Sequence, residues 1–230
     1  YIVGGNFNSS DIKIGEYELT KNGIIKYNSE GEVEWVKNTD GNIMSIVSTS
    51  DGGCIIGGSV GLARYNSNGK LEWEKKVGTN TIYSIIETID GNYLIGTYSE
   101  IIKCNIEGEI EWTKKVASGV YINSVAEVRE GEYIVGGFYN STIQVGNETL
   151  INNGQGDGLI IKYKMQELNN PVITNAKDIG GSSEDYIQSV AETSDGGYIA
   201  GGAYTFSIRV GDEILPGRGL NDGLIIKYSV

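Results

Sequence analysis

Val33-Glu34-Trp35, Leu71-Glu72-Trp73 and Ile110-Glu111-Trp112 are one phrase met three times, its tryptophan returning after 38 and then 39 residues. An internal period of about 40 residues is that of a four-stranded propeller blade. Within the phrase, alternation sets the tryptophan and the aliphatic residue two places before it on one face of a strand. We label this strand D.

Working back from it, strand C is the most uniform element: Gly23-Ile24-Ile25-Lys26-Tyr27, Gly61-Leu62-Ala63-Arg64-Tyr65, Glu100-Ile101-Ile102-Lys103-Cys104, Gly158-Leu159-Ile160-Ile161-Lys162-Tyr163 and Gly223-Leu224-Ile225-Ile226-Lys227-Tyr228. Strand B ends in small residues, as in Cys54 to Gly58, Tyr133 to Gly137 and Tyr198 to Gly202. It follows tight turns such as Asp51-Gly52-Gly53 and Asp195-Gly196-Gly197, where glycine supplies the positive φ that hairpin turns demand. Strand A reads Ser45-Ile46-Val47, Ser84-Ile85-Ile86, Ser124-Val125-Ala126 and Ser189-Val190-Ala191.

Short strands at intervals of about 8–12 residues, with no helical apolar period, leave sandwich, barrel or propeller. The internal repeat selects an all-β propeller of four-stranded antiparallel blades, or a contiguous arc of one. Its five copies fall near 1–40, 41–78, 79–118, 119–180 and 181–230, in a single domain. Strands B and C occur in every copy, whereas the first copy lacks A and the last lacks D. The fourth D strand, near Val172 to Ala176, has no tryptophan. Open blade edges of this kind predict that further strands or blades lie outside the segment.

Composition agrees with many short strands, since 34 glycines accompany only 2 prolines in 230 residues. A net charge of −12 disfavours nucleic acid and anionic lipid surfaces as partners. No apolar run approaches the ~20 residues that cross a bilayer, so direct membrane insertion is not expected. The opening Tyr1-Ile2-Val3-Gly4-Gly5 has no signal-peptide character, which puts any targeting signal outside this stretch. Cys54 and Cys104 stand where other copies carry tyrosine and read as packed free thiols.

Gly180-Gly181-Ser182-Ser183-Glu184-Asp185-Tyr186, the run from Ser189 to Gly202, and Asp222-Gly223-Leu224-Ile225-Ile226-Lys227-Tyr228 together resemble the bacterial and archaeal "seven-bladed β-propeller" (SBBP-type) repeats of secreted and surface proteins. The resemblance spans the chain. It implies a propeller in an extracellular or cell-surface setting and carries over no activity, cofactor or catalytic residue.

Residues present in every copy serve the blade, whereas a site needs different residues around one axis. The strand C cations Lys26, Arg64, Lys103, Lys162 and Lys227, and the strand A acids Glu87, Glu127 and Glu192, are therefore expected in salt bridges and packing within the scaffold. The non-repeated positions make the candidate ligand-binding set. After a fixed isoleucine, strand A opens with Met44, Tyr83, Asn123 or Gln188; Tyr121, Glu184, Asp185 and Tyr186 lie just upstream in the same loops. Innermost strands would place these around one mouth of the central channel, a mixed aromatic and polar ring suited to sugar or peptide.

The first, fourth and fifth copies also carry an insertion between B and C. Ile12 to Leu19, Ile143 to Leu150 and Ile208 to Leu215 each alternate around a central glycine and predict a β-hairpin. The latter two should lie side by side above adjacent blades, as a tall apolar-edged rim on the face that bears the variable ring, or cover blade edges.

Absence of histidine removes His-based triads and imidazole metal sites. Asp157-Gly158 and Asp222-Gly223 lie in Asn/Gly-rich loops but match no dense calcium-binding pattern, so no metal or cofactor is assigned. Asn8, Asn140 and Asn147 begin Asn-x-Ser/Thr sequons. The expected function is a non-enzymatic binding or adhesion module of a bacterial surface or secreted protein, taking glycan or protein and flanked by further domains. A structural spacer is the alternative. A carboxylate-dependent glycosidase or lyase using Glu184 and Asp185 is a second alternative, since such enzymes need paired acids near the axis.

Overall fold

Turn chemistry sets the rhythm of the chain. Gly52, Gly91, Gly131 and Gly196 all have φ between 74° and 81° in the turn between the first and second strands of their copies. In the second copy the Thr49 hydroxyl donates to the Asp51 carboxylate at 2.6 Å, which also accepts the Gly53 N–H at 3.1 Å. Thr88 with Asp90 and Thr193 with Asp195 repeat the device.

A computed structural model describes residues 1–7, 12–59, 61–78, 81–167 and 170–229, without the side chain of Glu167. Among these residues every regular element is a strand. The first copy contains β1 (Ile2–Asn6), the short pair β2 (Ile12–Ile14) and β3 (Tyr17–Leu19), β4 (Asn22–Tyr27) and β5 (Val33–Thr39). Next come β6 (Ile43–Ser48), β7 (Cys54–Gly58), β8 (Gly61–Tyr65) and β9 (Leu71–Lys75), then β10 (Ile82–Glu87), β11 (Tyr93–Thr97), β12 (Glu100–Cys104) and β13 (Ile110–Lys115). The fourth copy holds β14 (Val120–Arg129), β15 (Glu132–Tyr139), the pair β16 (Ile143–Val145) and β17 (Glu148–Leu150), β18 (Asp157–Glu167) and β19 (Asn170–Gly181). The fifth holds β20 (Tyr186–Glu192), β21 (Tyr198–Tyr204), β22 (Ile208–Val210), β23 (Glu213–Leu215) and β24 (Asp222–Tyr228).

Pairing is antiparallel throughout the sheets. The first sheet has the order β1-β4-β5, the second β6-β7-β8-β9, the third β10-β11-β12-β13 and the fifth β20-β21-β24. The fourth runs β14-β15-β18-β19 and then continues into β22-β23, the hairpin of the fifth copy. Among the described residues no strand pair or shared core joins the fifth sheet to the first, so the array is open.

Four hydrophobic clusters form the core, each lying across the junction between two successive sheets. Ile24 and Trp35 of the first sheet, for instance, pack with Ile43, Cys54, Ile56 and Ala63 of the second. Close approach is possible because the second strands of the second, third and fourth sheets each carry a glycine facing the next sheet. A Cβ on Gly96 would lie 2.6 Å from Ile122 Cγ2, and one on Gly136 2.6 Å from Val190 Cγ1. Main-chain N–H groups are satisfied across the junctions by serine. Ser45 Oγ accepts from Ile85 N at 3.0 Å, Ser84 Oγ from Val125 N at 3.1 Å and Ser124 Oγ from Val190 N at 3.1 Å. The repeated tryptophan is a docking device too: Trp35 Nε1 donates to Ser67 O at 3.0 Å in the next sheet, beneath Gly69.

Repeated charges stay within this scaffold. Arg64 pairs with Asp51 and Glu72, Lys103 with Asp90, Lys162 with Glu132 and Lys227 with Asp195. Glu87 and Glu127 accept the N–H groups of Ser50 and Ile89 from the turn of the preceding sheet. Burial pushes the thiols of Cys54 and Cys104 up to about 12, as expected of packed, unreactive side chains.

All three insertions fold as hairpins, but the pair expected to stand as an apolar rim does not. Ile143, Val145, Leu150 and Ile208 are buried in the cores on either side of the fourth sheet. β17 lies against β19, while β22 bonds along the end of β19, pairing Ile179 with Val210 and Gly181 with Ile208. Burial of their apolar faces favours this edge-covering position over projection into solvent. Asn140 and Asn147 are exposed, and Asn8 lies outside the described residues.

Candidate functional site

The variable positions share one backbone feature. Each inner strand slips register against its partner directly after the fixed isoleucine: between Ile43 and Ser45, Ile82 and Ser84, Ile122 and Ser124, and Ile187 and Ser189. The residue inside each slip, Met44, Tyr83, Asn123 or Gln188, is the extra residue of a β-bulge, left without a ladder partner and aimed away from the regular pleat. Because the serine one place later bonds to the neighbouring inner strand, the bulges of successive sheets stand at one level.

Their environments differ. Met44 is 48% exposed and Gln188 is exposed, whereas Tyr83 and Asn123 are half-buried. Asn123 Nδ2 donates to Ile187 O at 2.9 Å, so this amide ties β14 to β20. Asn6 plays the same part at the first junction, bonding Ile43 through both its oxygen and its nitrogen at 2.7 and 2.8 Å.

Tyr121 sits in an aromatic cluster. Its ring stacks on Phe138 with centroids 4.6 Å apart and planes 2° apart, and it meets Tyr98 edge-on at 4.9 Å. All three rings are half-buried, beside the bulges of the third and fourth sheets. Sequence reasoning finds Tyr121 but misses Tyr98 and Phe138. The signal is present, because the position just past strand B is Asn6, Ser59, Tyr98, Phe138 and Ala203 in the five copies, as variable as the bulge.

The acidic pair divides. Glu184 is exposed, whereas Asp185 is buried and its two oxygens accept the N–H groups of Gly181 at 2.7 Å and Thr205 at 3.0 Å. Asp185 is therefore a loop cap, not a surface contact, a correction that follows from the need of those main-chain donors for an acceptor. Tyr186 is half-buried at the start of β20. A second polar region lies at the outer edge of the fourth sheet, where a cavity of about 300 Å³ is lined by Asn153, Asp178, Ser182, Ser207 and Arg209. Behind it, Asp157 is fully buried; its Oδ2 accepts from Asn153 N at 2.8 Å while its Oδ1 has no partner. Burial, with Asp178 nearby, pushes the Asp157 carboxyl up to about 6. Among the described residues no three Asp, Glu or Cys side chains converge to cage a metal.

Comparison with solved structures gives relatives of form. A Bacteroides caccae protein of unknown function matches with a TM-score of 0.50 and 18% identity, over 86% of this chain and 81% of that one. The extracellular domain of a putative one component system from B. thetaiotaomicron matches with a TM-score of 0.54 and 19% identity, over 90% of this chain but 27% of that one. The Neurospora crassa Pan2 WD40 domain matches with a TM-score of 0.53 and 11% identity, over 85% of this chain and 60% of the other. WD40 domains are propellers of radially repeated sheets. The fold is of the β-propeller kind. No family model matches the chain and no curated protein matches it, so the likeness to SBBP-type repeats rests on the motifs alone.

Proposed function

We propose that the chain is a non-enzymatic binding module in which five successive sheets act as blades of one propeller arc, and that it takes a glycan or protein ligand at the bulge-bearing inner edge. One observation carries this reading. The repeated strand C cations and, at the junctions between sheets, Ser45, Ser84, Ser124, Glu87 and Glu127 are engaged in the scaffold, whereas the bulge supplies four different side chains at one level with the Tyr98–Tyr121–Phe138 cluster beside them. Stacked aromatic faces with polar neighbours match the apolar faces and hydroxyl edges of sugars, and equally the side chains of a peptide. An extracellular setting is favoured by the likeness to the extracellular domain of the putative one component system from B. thetaiotaomicron.

A spacer role is the rival reading. The hydrolase alternative is weakened by the commitment of Asp185 to main-chain donors, which leaves Glu184 without a free acidic partner in that loop. The test is a glycan array and a pull-down from extracellular matrix and secreted proteins, using the whole chain beside its Tyr121→Ala variant. A ligand retained by the native chain and lost from the variant is expected. Silence on both panels would favour the spacer.

A further inference from the structure

We infer that the cavity between the end of β19 and the β22–β23 hairpin is a binding site for a free α-amino acid with an aliphatic side chain, separate from any ligand at the inner edge. Strand register puts its main parts on one face. Asp178 and Gly180 lie two places apart in β19, Gly180 pairs with Arg209 of β22, and Arg209 pairs with Ile214 of β23. All four line the same cavity of about 300 Å³, a volume within the range of small-molecule sites, with Asn153 and Ser207 at its sides.

Charge divides across this space. Asp178 is half-buried at the floor, and the fully buried Asp157 stands behind Gly180, where a Cβ would come within 2.5 Å of its partnerless Oδ1. Asp185 adds a third carboxylate near both. None of the three meets a cation among the described residues. Closing the loop does not account for the gathering, because Asp222 holds its own loop in the same way, accepting Arg218 N at 2.6 Å as Asp157 accepts Asn153 N at 2.8 Å.

Arg209 stands across the cavity, exposed and without an ion pair among the described residues. Asp178 and Arg209 occupy diagonal positions on adjacent strands, roughly 7–8 Å apart along the main chain. Their side chains do not pair, and a molecule carrying an ammonium and a carboxylate on one carbon would join them. The guanidinium suits the carboxylate as a two-pronged donor. Asp178 takes the ammonium, helped by Asn153, whose Nδ2 is spent on Ile151 O and Asp157 and whose carbonyl oxygen is left to accept. Ile214, 60% exposed, offers an apolar wall to the ligand's side chain. A simple anion would face the acidic floor and a simple cation would leave Arg209 unmatched, so the arrangement selects a ligand with both charges.

The experiment is ligand-observed NMR with the whole chain and leucine, isoleucine or valine, where saturable binding is expected. Removing either charge, as in 3-methylbutylamine and 4-methylpentanoate for leucine, should weaken binding about tenfold or more. Arg209→Gln should weaken the amino acid by a similar factor yet leave the residual affinity for the amine unchanged. Tyr121→Ala should bind as the native chain does. The proposal would be overturned by the absence of saturable binding of all three amino acids at about 10 mM, or by analogues that bind as well as the amino acid. It would equally be overturned by an Arg209→Gln chain that binds like the native one, or by loss of binding in Tyr121→Ala, which would move the site to the inner edge.

Discussion

The hydroxyl oxygen of Ser84 accepts a hydrogen bond from the main-chain N–H of Val125 at 3.1 Å, and both groups are buried between the third and fourth sheets. Ser45 and Ser124 repeat the bond at neighbouring junctions, so one short side chain per sheet couples adjacent inner strands that share no ladder. Ser84→Ala leaves the Val125 N–H buried without an acceptor. We expect a loss of about 1–3 kcal/mol in urea unfolding. Ser189→Ala, at the exposed end of the series, should change stability by less than about 0.5 kcal/mol. Equal effects at both positions would show that the junction bond is not the cause.

The glycines of the second strands supply a matched pair of substitutions. A Cβ on Gly96 would press on Ile122 Cγ2 at 2.6 Å and Val125 Cγ1 at 3.1 Å, whereas one on Gly201 would meet nothing nearer than Leu224 O at 3.9 Å. Gly96→Ala should therefore cost about 1–3 kcal/mol through overpacking. Gly201→Ala should be neutral, or stabilising by up to about 1 kcal/mol through a less flexible unfolded chain. Thermal melts of both variants decide this, and destabilisation by Gly201→Ala would mean that its flank is filled in solution.

Acid should strengthen the fourth sheet before it weakens the fold. The folded-state value of about 6 at Asp157 lies above its unfolded value, so the folded chain holds this proton more tightly. The resulting stability is complete below about pH 4, the unfolded carboxylate range, and is lost as pH rises through the folded value. Burial raises Asp178 and Asp185 in the same direction. Stability of the native chain should fall between pH 4 and pH 6.5 relative to Asp157→Asn, which carries no charge in that window. Parallel stability curves for the two proteins would contradict this.

Much of the architecture is legible in the sequence because its determinants are local and repeated. Asp-Gly turns, the Gly-Ile-Ile-Lys-Tyr strand and the tryptophan phrase each recur in a place where neighbouring residues decide the geometry. The bulge is legible only indirectly, as a variable residue after a fixed isoleucine. Asp185 is misread because its partners, Gly181 and Thr205, come from two different loops, and nothing local distinguishes a buried cap from an exposed acid. Phe138 and Tyr98 escape notice for a related reason, since their value lies in meeting Tyr121, Phe138 from the partner strand of the same sheet and Tyr98 from the preceding sheet. The pairing of β22 with β19 joins two copies and has no signature in either alone.

That last pairing gives the array a mechanical grain. β19 is held by β18 along one edge and gripped near its end by β22 along the other, so the fourth and fifth sheets share a strand boundary that the first three junctions lack. Under tension applied at the two chain termini, the first sheets are free to peel away one after another, rupturing a few side-chain contacts at a time. The last two must first shear a main-chain ladder, and they would come apart as a single unit at higher force.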